Sequence, residues 1–140
     1  MKILVMGLPG SGKTWLSEQL QVRLNCAWYN ADKVRAMAND WDFSHMSRLK
    51  QAYRMKSLAD IEKSYDRTVI CDFVCPLDIT REIFDADITI WINTIIAGIF
   101  QDTNKIFEDP SQYTYVVDHF MTHDEVDTFV TNIYKDFPNV

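Results

Sequence analysis

The sequence GLPGSGKT at residues 7–14 decides the fold, because it matches the phosphate-loop pattern G-x-x-x-x-G-K-[ST] at every fixed position. It follows the apolar run ILVM at residues 3–6 and precedes a helix-like segment. Glycines in such a loop let several backbone N–H groups converge on one anion, and the positive end of the following helix dipole adds to the attraction. We therefore predict that this segment binds nucleotide phosphates. A chance match in an ordinary strand-to-helix turn is the alternative, and the flanking strand and helix disfavour it.

Each residue type in the loop has its own predicted task. Lys13 supplies an ammonium group for the β- and γ-phosphates, and the Thr14 hydroxyl is the expected protein ligand of Mg²⁺. ATP and Mg²⁺ are accordingly the predicted cofactors. The predicted nucleotide contacts are Gly7, Leu8, Pro9, Gly10, Ser11, Gly12, Lys13, Thr14 and Trp15.

Length and charge narrow the class of protein. A chain of 140 residues with 47% hydrophobic and 24% charged residues suits one globular domain. Its net charge of -6 provides no basic field for a polynucleotide, so we expect a small nucleotide substrate and no nucleic-acid partner. No segment resembles a signal peptide or a membrane span, and three cysteines favour reduced, packed thiols, so a cytoplasmic protein without a membrane partner is expected. A homodimer is left open.

Apolar runs and helical patterns alternate along the chain, which is typical of a parallel sheet with crossover helices. The pattern predicts strands at residues 2–6, 26–29, 68–74, 88–92 and 113–117. It predicts helices at residues 13–24, 44–65, 77–84 and 124–134, and a short helix capped by Asn30 or Asp32 and ending at Ala36. The long helix has five candidate core residues: Met46, Leu49, Tyr53, Leu58 and Ile61. The predicted fold is one P-loop domain over residues 1–140, a three-layer α/β/α sandwich with a five-stranded, mainly parallel sheet and a lid at residues 94–110.

Two carboxylates follow predicted strands at the edge where phosphates would bind. Asp32 comes just after the second strand, and ligands of parallel sheets lie at the carboxyl ends of the strands. We expect Asp32 to orient or deprotonate the attacking hydroxyl, or to contact the metal through water. Asp72 ends the apolar strand TVICD and is predicted to hold the metal shell together with Thr14. A strand-end aspartate that caps a turn is an equally weighted alternative for Asp72.

Two arginines and an aromatic residue are candidates for the second substrate. Arg35 follows Asp32 by three residues, so their side chains share one helix face. Arg48 lies on the long predicted helix, and the planar fork of arginine suits oxyanions. Phe43 stands in a polar loop, where it is a candidate for stacking on a base. Solvated surface charges and an ordinary core aromatic are the alternatives.

Together these segments resemble adenylylsulfate kinase, a phosphate-loop enzyme that phosphorylates the 3′-hydroxyl of adenosine 5′-phosphosulfate with ATP. The resemblance covers residues 1–110. NADKVR at residues 30–35 is similar to the family's D-[GA]-D-x-[VI]-R segment, and Phe43-Ser44 with Arg48 matches F-S-x-x-x-R. FVCP at residues 73–76 is similar to F-I-S-P, and KIF with DP at residues 105–110 resembles the K-x-F and D-P elements after the lid.

The resemblance implies a role for each of these positions. Phe43 and Phe107 would sandwich the adenine of the acceptor, and Arg35 and Arg48 would bind its phosphosulfate. Lys13 and Asp32 are the implied catalytic residues. The implied acceptor site as a whole comprises Arg35, Phe43, Arg48, Gln51, Phe73, Val74, Lys105 and Phe107.

Three features depart from the family pattern. Asn30 replaces the first aspartate of the D-x-D pair, Asp72 stands where the family usually has a small residue, and the lid from residue 94 to 103 has no cation. A lid arginine can be worth ~10³–10⁵ in rate, and Lys105 is the nearest substitute here. Two alternatives therefore stay open. One is a kinase for another small acceptor, such as a nucleoside, nucleotide or sugar, and the other is a nucleotide-binding relative that has lost catalysis.

Overall fold

Five strands form the sheet of this protein, whose computed structural model describes residues 1–98 and 100–140. The strands are β1 (Lys2–Gly7), β2 (Ala27–Asn30), β3 (Val69–Asp72), β4 (Ile88–Ile92) and β5 (Tyr115–Val117). Their order in the sheet is β2-β3-β1-β4-β5, and every pairing is parallel. The sheet that the sequence predicts as mainly parallel is therefore wholly parallel.

Helices cover both faces of the sheet. They are α1 (Lys13–Leu24), α2 (Ala31–Ala38), α3 (His45–Ser64), α4 (Asp78–Phe84), α5 (Gln101–Ile106) and α6 (His123–Asp136). One core cluster joins α1 and α6 to one face of the sheet, and a second joins α3 and α4 to the other. The predicted three-layer α/β/α sandwich is confirmed. Across the described residues, no helix combines the length and the apolar character that crossing a bilayer requires.

The central strand β1 explains where the site lies. All six of its residues are buried, because Ile3 and Val5 face one core cluster while Leu4 and Met6 face the other. A strand buried on both faces is expected to be a continuous apolar run. The phosphate loop follows directly after the carboxyl end of β1. Since β1 lies between β3 and β4, the loop begins at the centre of the sheet.

The predicted inner face of α3 is wrong at three of its five positions, whereas Leu58 is confirmed, since it packs against the core cluster. Met46, Tyr53 and Ile61 are more than half exposed, at 61%, 57% and 54%. The buried residues of this helix are instead small, polar or flexible: Ser47, Gln51, Ala52, Met55 and Ala59. Polar side chains are tolerated there because they are hydrogen-bonded. Ser47 Oγ donates to Asp40 Oδ1 over 3.3 Å, and Gln51 Nε2 donates to the Ala31 carbonyl over 3.2 Å.

Two segments differ in extent from the sequence prediction. Asn30, one of two candidate caps, begins α2, because its Oδ1 accepts a hydrogen bond from the Lys33 amide over 3.1 Å. The lid, predicted as irregular, contains the short helix α5. Ile99, which belongs to the predicted lid, lies outside the described residues. All three cysteines are free and buried, as predicted for packed thiols.

Helix α6 begins with a reciprocal cap, which gives a stability prediction. The Thr122 hydroxyl accepts from the Glu125 amide and the Glu125 carboxylate accepts from the Thr122 amide, both over 3.2 Å. Thr122→Ala should lower the free energy of unfolding by about 1 kcal/mol, measured by urea denaturation. Thr131→Ala, an exposed position on the same helix, is the control and should change it by less than about 0.5 kcal/mol. Equal losses in the two variants would contradict a capping role.

Candidate active site

The phosphate loop joins β1 to α1 at the carboxyl edge of the sheet, and two of its glycines are required by close contacts. A Cβ on Gly7 would lie 2.5 Å from the Ile92 carbonyl oxygen. Gly12 has φ 98° and is the N-cap of α1, and a Cβ there would lie 3.2 Å from the Phe120 ring. The N-terminal amides of α1 therefore begin at the loop itself, which is the arrangement that attracts phosphate.

Lys13 is folded back onto the loop. Its side chain is buried at 9% exposure, and its Nζ donates to the Leu8 carbonyl over 2.9 Å. Burial lowers the pKa of Lys13 to about 8, while the charges of Asp72 and Asp32 act in the opposite direction. Lys13 therefore shares one cleft with both carboxylates that the sequence singles out.

Binding of ATP at pH 8 is expected to take up protons through Lys13. Because the pKa of the free protein is about 8, roughly half of the molecules carry a neutral lysine at that pH. A neighbouring triphosphate raises the pKa, so the bound lysine is charged. Calorimetric titrations with MgATP in buffers of different ionisation enthalpy should show uptake of ~0.5 proton at pH 8 and less at pH 7. The same uptake by Lys13→Met would contradict this assignment.

Asp72 is a buried carboxylate held by two side chains of the neighbouring strand. It is 2% exposed, and its Oδ2 accepts from Trp28 Nε1 over 2.6 Å. Asn30 Nδ2 lies 3.1 Å from Oδ1 and 3.3 Å from Oδ2. Burial raises the pKa of Asp72, and the hydrogen bonds from Trp28 and Asn30 oppose that shift. Among the described residues no backbone amide donates to this carboxylate, so its contacts differ from those of a turn cap.

Thr14 belongs to the same cluster, because its Oγ1 accepts from Asn30 Nδ2 over 3.3 Å. A hydroxyl and a carboxylate are hard oxygen donors, so Thr14 and Asp72 fit Mg²⁺. No group of three or more His, Cys, Asp or Glu side chains suited to a metal occurs in residues 1–98 or 100–140. A protein-only metal cage is not required, since Mg²⁺ is commonly bound by one or two protein ligands together with phosphates.

Asp32 lies in the first turn of α2 and is exposed. Burial lowers the pKa of Lys13 and of Arg35, and the negative charge of Asp32 partly offsets both shifts. Asp32 therefore lies within electrostatic reach of both cations. A carboxylate in that place can orient a hydroxyl beside the phosphate loop. Its catalytic role stays a prediction.

Arg35, Phe43 and Arg48 form one cluster in the structure. The guanidinium carbons of Arg35 and Arg48 lie 4.4 Å and 5.6 Å from the centre of the Phe43 ring. Arg35 is buried at 5% exposure, and Arg48 Nε donates to the Phe43 carbonyl over 2.8 Å. Burial lowers the pKa of Arg48, and the nearby charge of Arg35 lowers it further. Two adjacent like charges of this kind suit an anionic ligand.

Arg35 also shapes the loop that leads from α2 to α3. Its Nη1 donates to the carbonyls of Asp40 and Asp42, each over 3.0 Å. The side chain of Arg35 therefore ties this loop to α2. The negative charge of Asp102, on α5, partly offsets the lowering of the pKa of Arg48 by burial and by Arg35.

Other predicted acceptor residues have internal partners. Gln51 is 4% exposed. Its Nε2 donates to the Ala31 carbonyl over 3.2 Å, and its Oε1 accepts from Arg54 Nη1 over 2.5 Å. Phe73 is 7% exposed and packs edge-on against Phe84 in the core, with ring centres 5.6 Å apart. The next residue, Val74, is half-buried. Gln51 and Phe73 therefore support the walls of the site more than they offer free contacts.

Phe107 borders a cavity beside β4. Its ring is half-buried and lies 5.2 Å from the Arg81 guanidinium carbon. The cavity measures about 190 Å³ and is also lined by Leu8, Trp91, Asn93, Asn104 and Asp109. Lys105 is exposed on α5 and is not among the residues that line the cavity. The polar side chains that line this cavity are thus two amides and a carboxylate.

The first part of the lid rests on the phosphate loop. Thr94 Oγ1 donates to the Ser11 carbonyl over 2.7 Å, and a Cβ on Gly98 would lie 2.7 Å from the Pro9 carbonyl oxygen. Gly98 and Asn104 exchange two hydrogen bonds of 2.8 Å, which tie the loop to α5. The described part of the predicted lid therefore has direct contact with the phosphate loop.

Several residues of this region are absent from the sequence-based prediction. Among them are Trp28, which donates to Asp72, Phe120, which lies beside Gly12, and Arg81, which lies over the Phe107 ring. Trp28 lies two residues before Asn30 on a strand, so the alternation of strand faces could have placed it beside Asn30. Phe120 follows the last strand, at the edge where ligands bind. Nothing in the sequence pattern marks Arg81.

Comparisons with known proteins place the fold. No protein-family model matches the chain, and neither does any curated protein. Among solved structures, the Mycobacterium tuberculosis APS kinase in complex with AMPPNP and APS has a TM-score of 0.77 at 16% identity, over 96% of each chain. The shikimate kinase from Aquifex aeolicus vf5 has a TM-score of 0.68 at 16% identity, over 97% of this chain and 98% of that one. A gluconokinase from Sinorhizobium meliloti 1021 has a TM-score of 0.61 at 15% identity, over 97% of each chain. The chain therefore has the fold of P-loop kinases.

Proposed function

We propose that this chain is an ATP-dependent kinase that transfers the γ-phosphoryl group of ATP to the 3′-hydroxyl of adenosine 5′-phosphosulfate. The observation that carries the proposal is the cluster of Arg35, Phe43 and Arg48, which lies on the same side of the molecule as Asp32. The fold shared with an APS kinase that binds AMPPNP and APS supports it.

The cluster favours an anionic acceptor with a flat ring. Arg35 is largely buried, and the pKa of Arg48 is lowered by burial and by the nearby charge of Arg35. None of the described residues accepts a hydrogen bond from Nη1 or Nη2 of Arg48. An oxyanion would satisfy those donors through paired hydrogen bonds. A neutral sugar needs neither two arginines nor an aromatic platform.

Catalysis in this proposal is positioning and charge neutralisation. Lys13 would leave the Leu8 carbonyl and bind the β- and γ-phosphates, and Asp32 would orient the acceptor hydroxyl and receive its proton. Thr14 and Asp72 are the residues that would hold Mg²⁺, which when bound neutralises charge on the phosphates. No covalent intermediate with the protein is needed.

A kinase for another small acceptor is the second candidate, and the cavity beside Phe107 favours it. That cavity is lined by Asn93, Asn104 and Asp109, and none of its lining residues is a cation. Amide and carboxylate groups are suited to hydroxyl groups of an uncharged compound. The structures of shikimate kinase and gluconokinase share the same fold.

Turnover assays with a panel of acceptors test the proposal. ATP consumption with MgCl₂ would be coupled to NADH oxidation in the presence of adenylylsulfate, adenosine, shikimate or gluconate. We expect a rate above background ATP hydrolysis with adenylylsulfate and with none of the other three acceptors. A clear rate with another acceptor and none with adenylylsulfate would reject the acceptor assignment. ATP binding without turnover of any acceptor would favour a nucleotide-binding protein that has lost catalysis.

Arginine variants separate the two candidate acceptor classes. Arg48→Ala should raise KM for adenylylsulfate at least tenfold while leaving KM for ATP unchanged, because a charge-assisted hydrogen bond is worth about 1.5–3 kcal/mol. Arg67→Ala is the control, since Arg67 is exposed and pairs with Glu62 away from the cleft. An unchanged KM in Arg48→Ala would remove the main support for an anionic acceptor.

A further inference from the structure

Trp28 donates a hydrogen bond to the buried carboxylate of Asp72, and no role has yet been assigned to this contact. It lies on β2, opposite Ile70 of β3, and its half-buried ring packs against the core cluster that contains Ile70. Its indole N–H reaches across to β3 and donates to Asp72 Oδ2 over 2.6 Å. This is the shortest of the three contacts by which β2 side chains hold that carboxylate.

The two donors on β2 contact the oxygens of the Asp72 carboxylate differently. Trp28 binds Oδ2 alone, whereas the Asn30 amide lies near Oδ1, near Oδ2 and near Thr14 Oγ1. A buried carboxylate without a donor carries a large desolvation cost. If the indole donor is lost, the Asn30 amide is the remaining donor for Asp72, and it would be drawn away from Thr14.

We propose that Trp28 is a positioning residue for the metal–nucleotide site, acting through Asp72. Its N–H group fixes the rotation of the Asp72 carboxylate, keeps Oδ1 directed toward the Thr14 side, and leaves the Asn30 amide to bridge Asp72 and Thr14. The inference rests on the MgATP binding that the proposed function includes. It does not depend on the identity of the acceptor.

Trp28→Phe tests this role, because phenylalanine keeps an aromatic ring against the core and removes the N–H donor together with part of the indole ring. The variant should weaken ATP binding in the presence of MgCl₂ by ~10-fold, since partners that orient metal ligands typically contribute 10–100-fold to metal affinity. ATP binding in EDTA should be unchanged. Isothermal titration calorimetry measures both constants, and urea denaturation shows whether the variant is folded.

A double-mutant cycle distinguishes positioning from packing. In an Asp72→Asn background, Trp28→Phe should change MgATP affinity by less than about twofold, because contacts that share a partner are not additive. A loss of the same size in both backgrounds, or a loss that persists in EDTA, would overturn the proposal. Tyr29→Phe is the matched control, since Tyr29 on the same strand donates to Glu62 over 3.1 Å and should leave the magnesium dependence unchanged.

A fluorescence measurement keeps the proposal testable if Trp28→Phe does not fold. In a variant with Trp15, Trp41 and Trp91 replaced by phenylalanine, Trp28 is the single tryptophan, and because Trp15 is a predicted nucleotide contact, calorimetry first measures ATP binding by this variant. Adding MgCl₂ to the protein with ATP should shift its emission, and an unchanged emission would overturn the role. A chain that binds MgATP but phosphorylates no acceptor would reject the proposed function alone, whereas a chain that does not bind MgATP would reject both.

Discussion

Lys13→Met is expected to lower kcat by at least ~10²–10³-fold, because the variant lacks the one ammonium group that the phosphate loop places among the phosphates. Lys13 is buried beside Leu8 and is within reach of the charges of Asp32 and Asp72. Methionine has a similar length and no charge. The variant therefore removes the interaction with the transferring phosphoryl group while it preserves the packing. The measurement is steady-state turnover with the acceptor that the wild-type protein uses.

Stability measurements separate this loss from unfolding. Burial lowers the pKa of Lys13 to about 8, which means that burying its charge opposes folding below that pH. Lys13→Met should therefore be at least as resistant to urea as the wild type at pH 7. Lys135→Met, an exposed position in the last turn of α6, is the control for turnover. A loss of activity that follows a loss of stability would contradict a role in phosphate binding.

Asp32→Asn is expected to lower kcat by ~10²–10⁴-fold, the usual contribution of a general base, with little change in KM for ATP. The amide keeps the size of the side chain and loses the ability to accept a proton. The charge of Asp32 partly offsets the burial that lowers the pKa of Lys13 and of Arg35, so Asp32 lies within electrostatic reach of both cations. Initial rates over a range of ATP and acceptor concentrations separate kcat from KM.

Asp85→Asn provides the matched control for Asp32→Asn. Asp85 follows α4, before β4 begins, so it lies toward the opposite end of the sheet from the phosphate loop. It has φ 56°, a conformation that asparagine also adopts, so the control should keep both stability and turnover. If Asp32→Asn is as active as this control, the hydroxyl of the acceptor must be activated by another group, and Asp72 becomes the next candidate.

The fold follows from the sequence wherever the chain is buried on both sides. β4 and α1 have the predicted bounds, and β1 extends one residue beyond its prediction, because in each case an apolar or periodic run ends at a clear boundary. Three of the five predicted core positions of α3 are exposed, and Ser47 and Gln51 are buried instead, with hydrogen-bonding partners that lie elsewhere in the chain. A rule based on apolar spacing cannot identify such positions, since the partners become visible only in three dimensions.

The candidate site was predictable to the extent that its residues lie at strand ends. Lys13, Asp32 and Asp72 meet at one edge because the parallel sheet brings the carboxyl ends of its strands together. The clustering of Arg35 with Phe43 and Arg48 depends on the path of the connecting loop, and the sequence pattern does not fix that path. The short helix α5 was missed because it contains too little apolar periodicity for a helical pattern to be recognised.

The loop between α2 and α3 is held by polar contacts, among them those of Arg35 with two of its carbonyl oxygens and of Arg54 with Asp40, whereas the phosphate loop follows a strand that is fully buried. Substitutions in the former should thus leave the folded scaffold intact, while those near the latter would endanger it. The segment that carries the proposed acceptor cluster should therefore tolerate sequence change better than the segment that carries the phosphate loop.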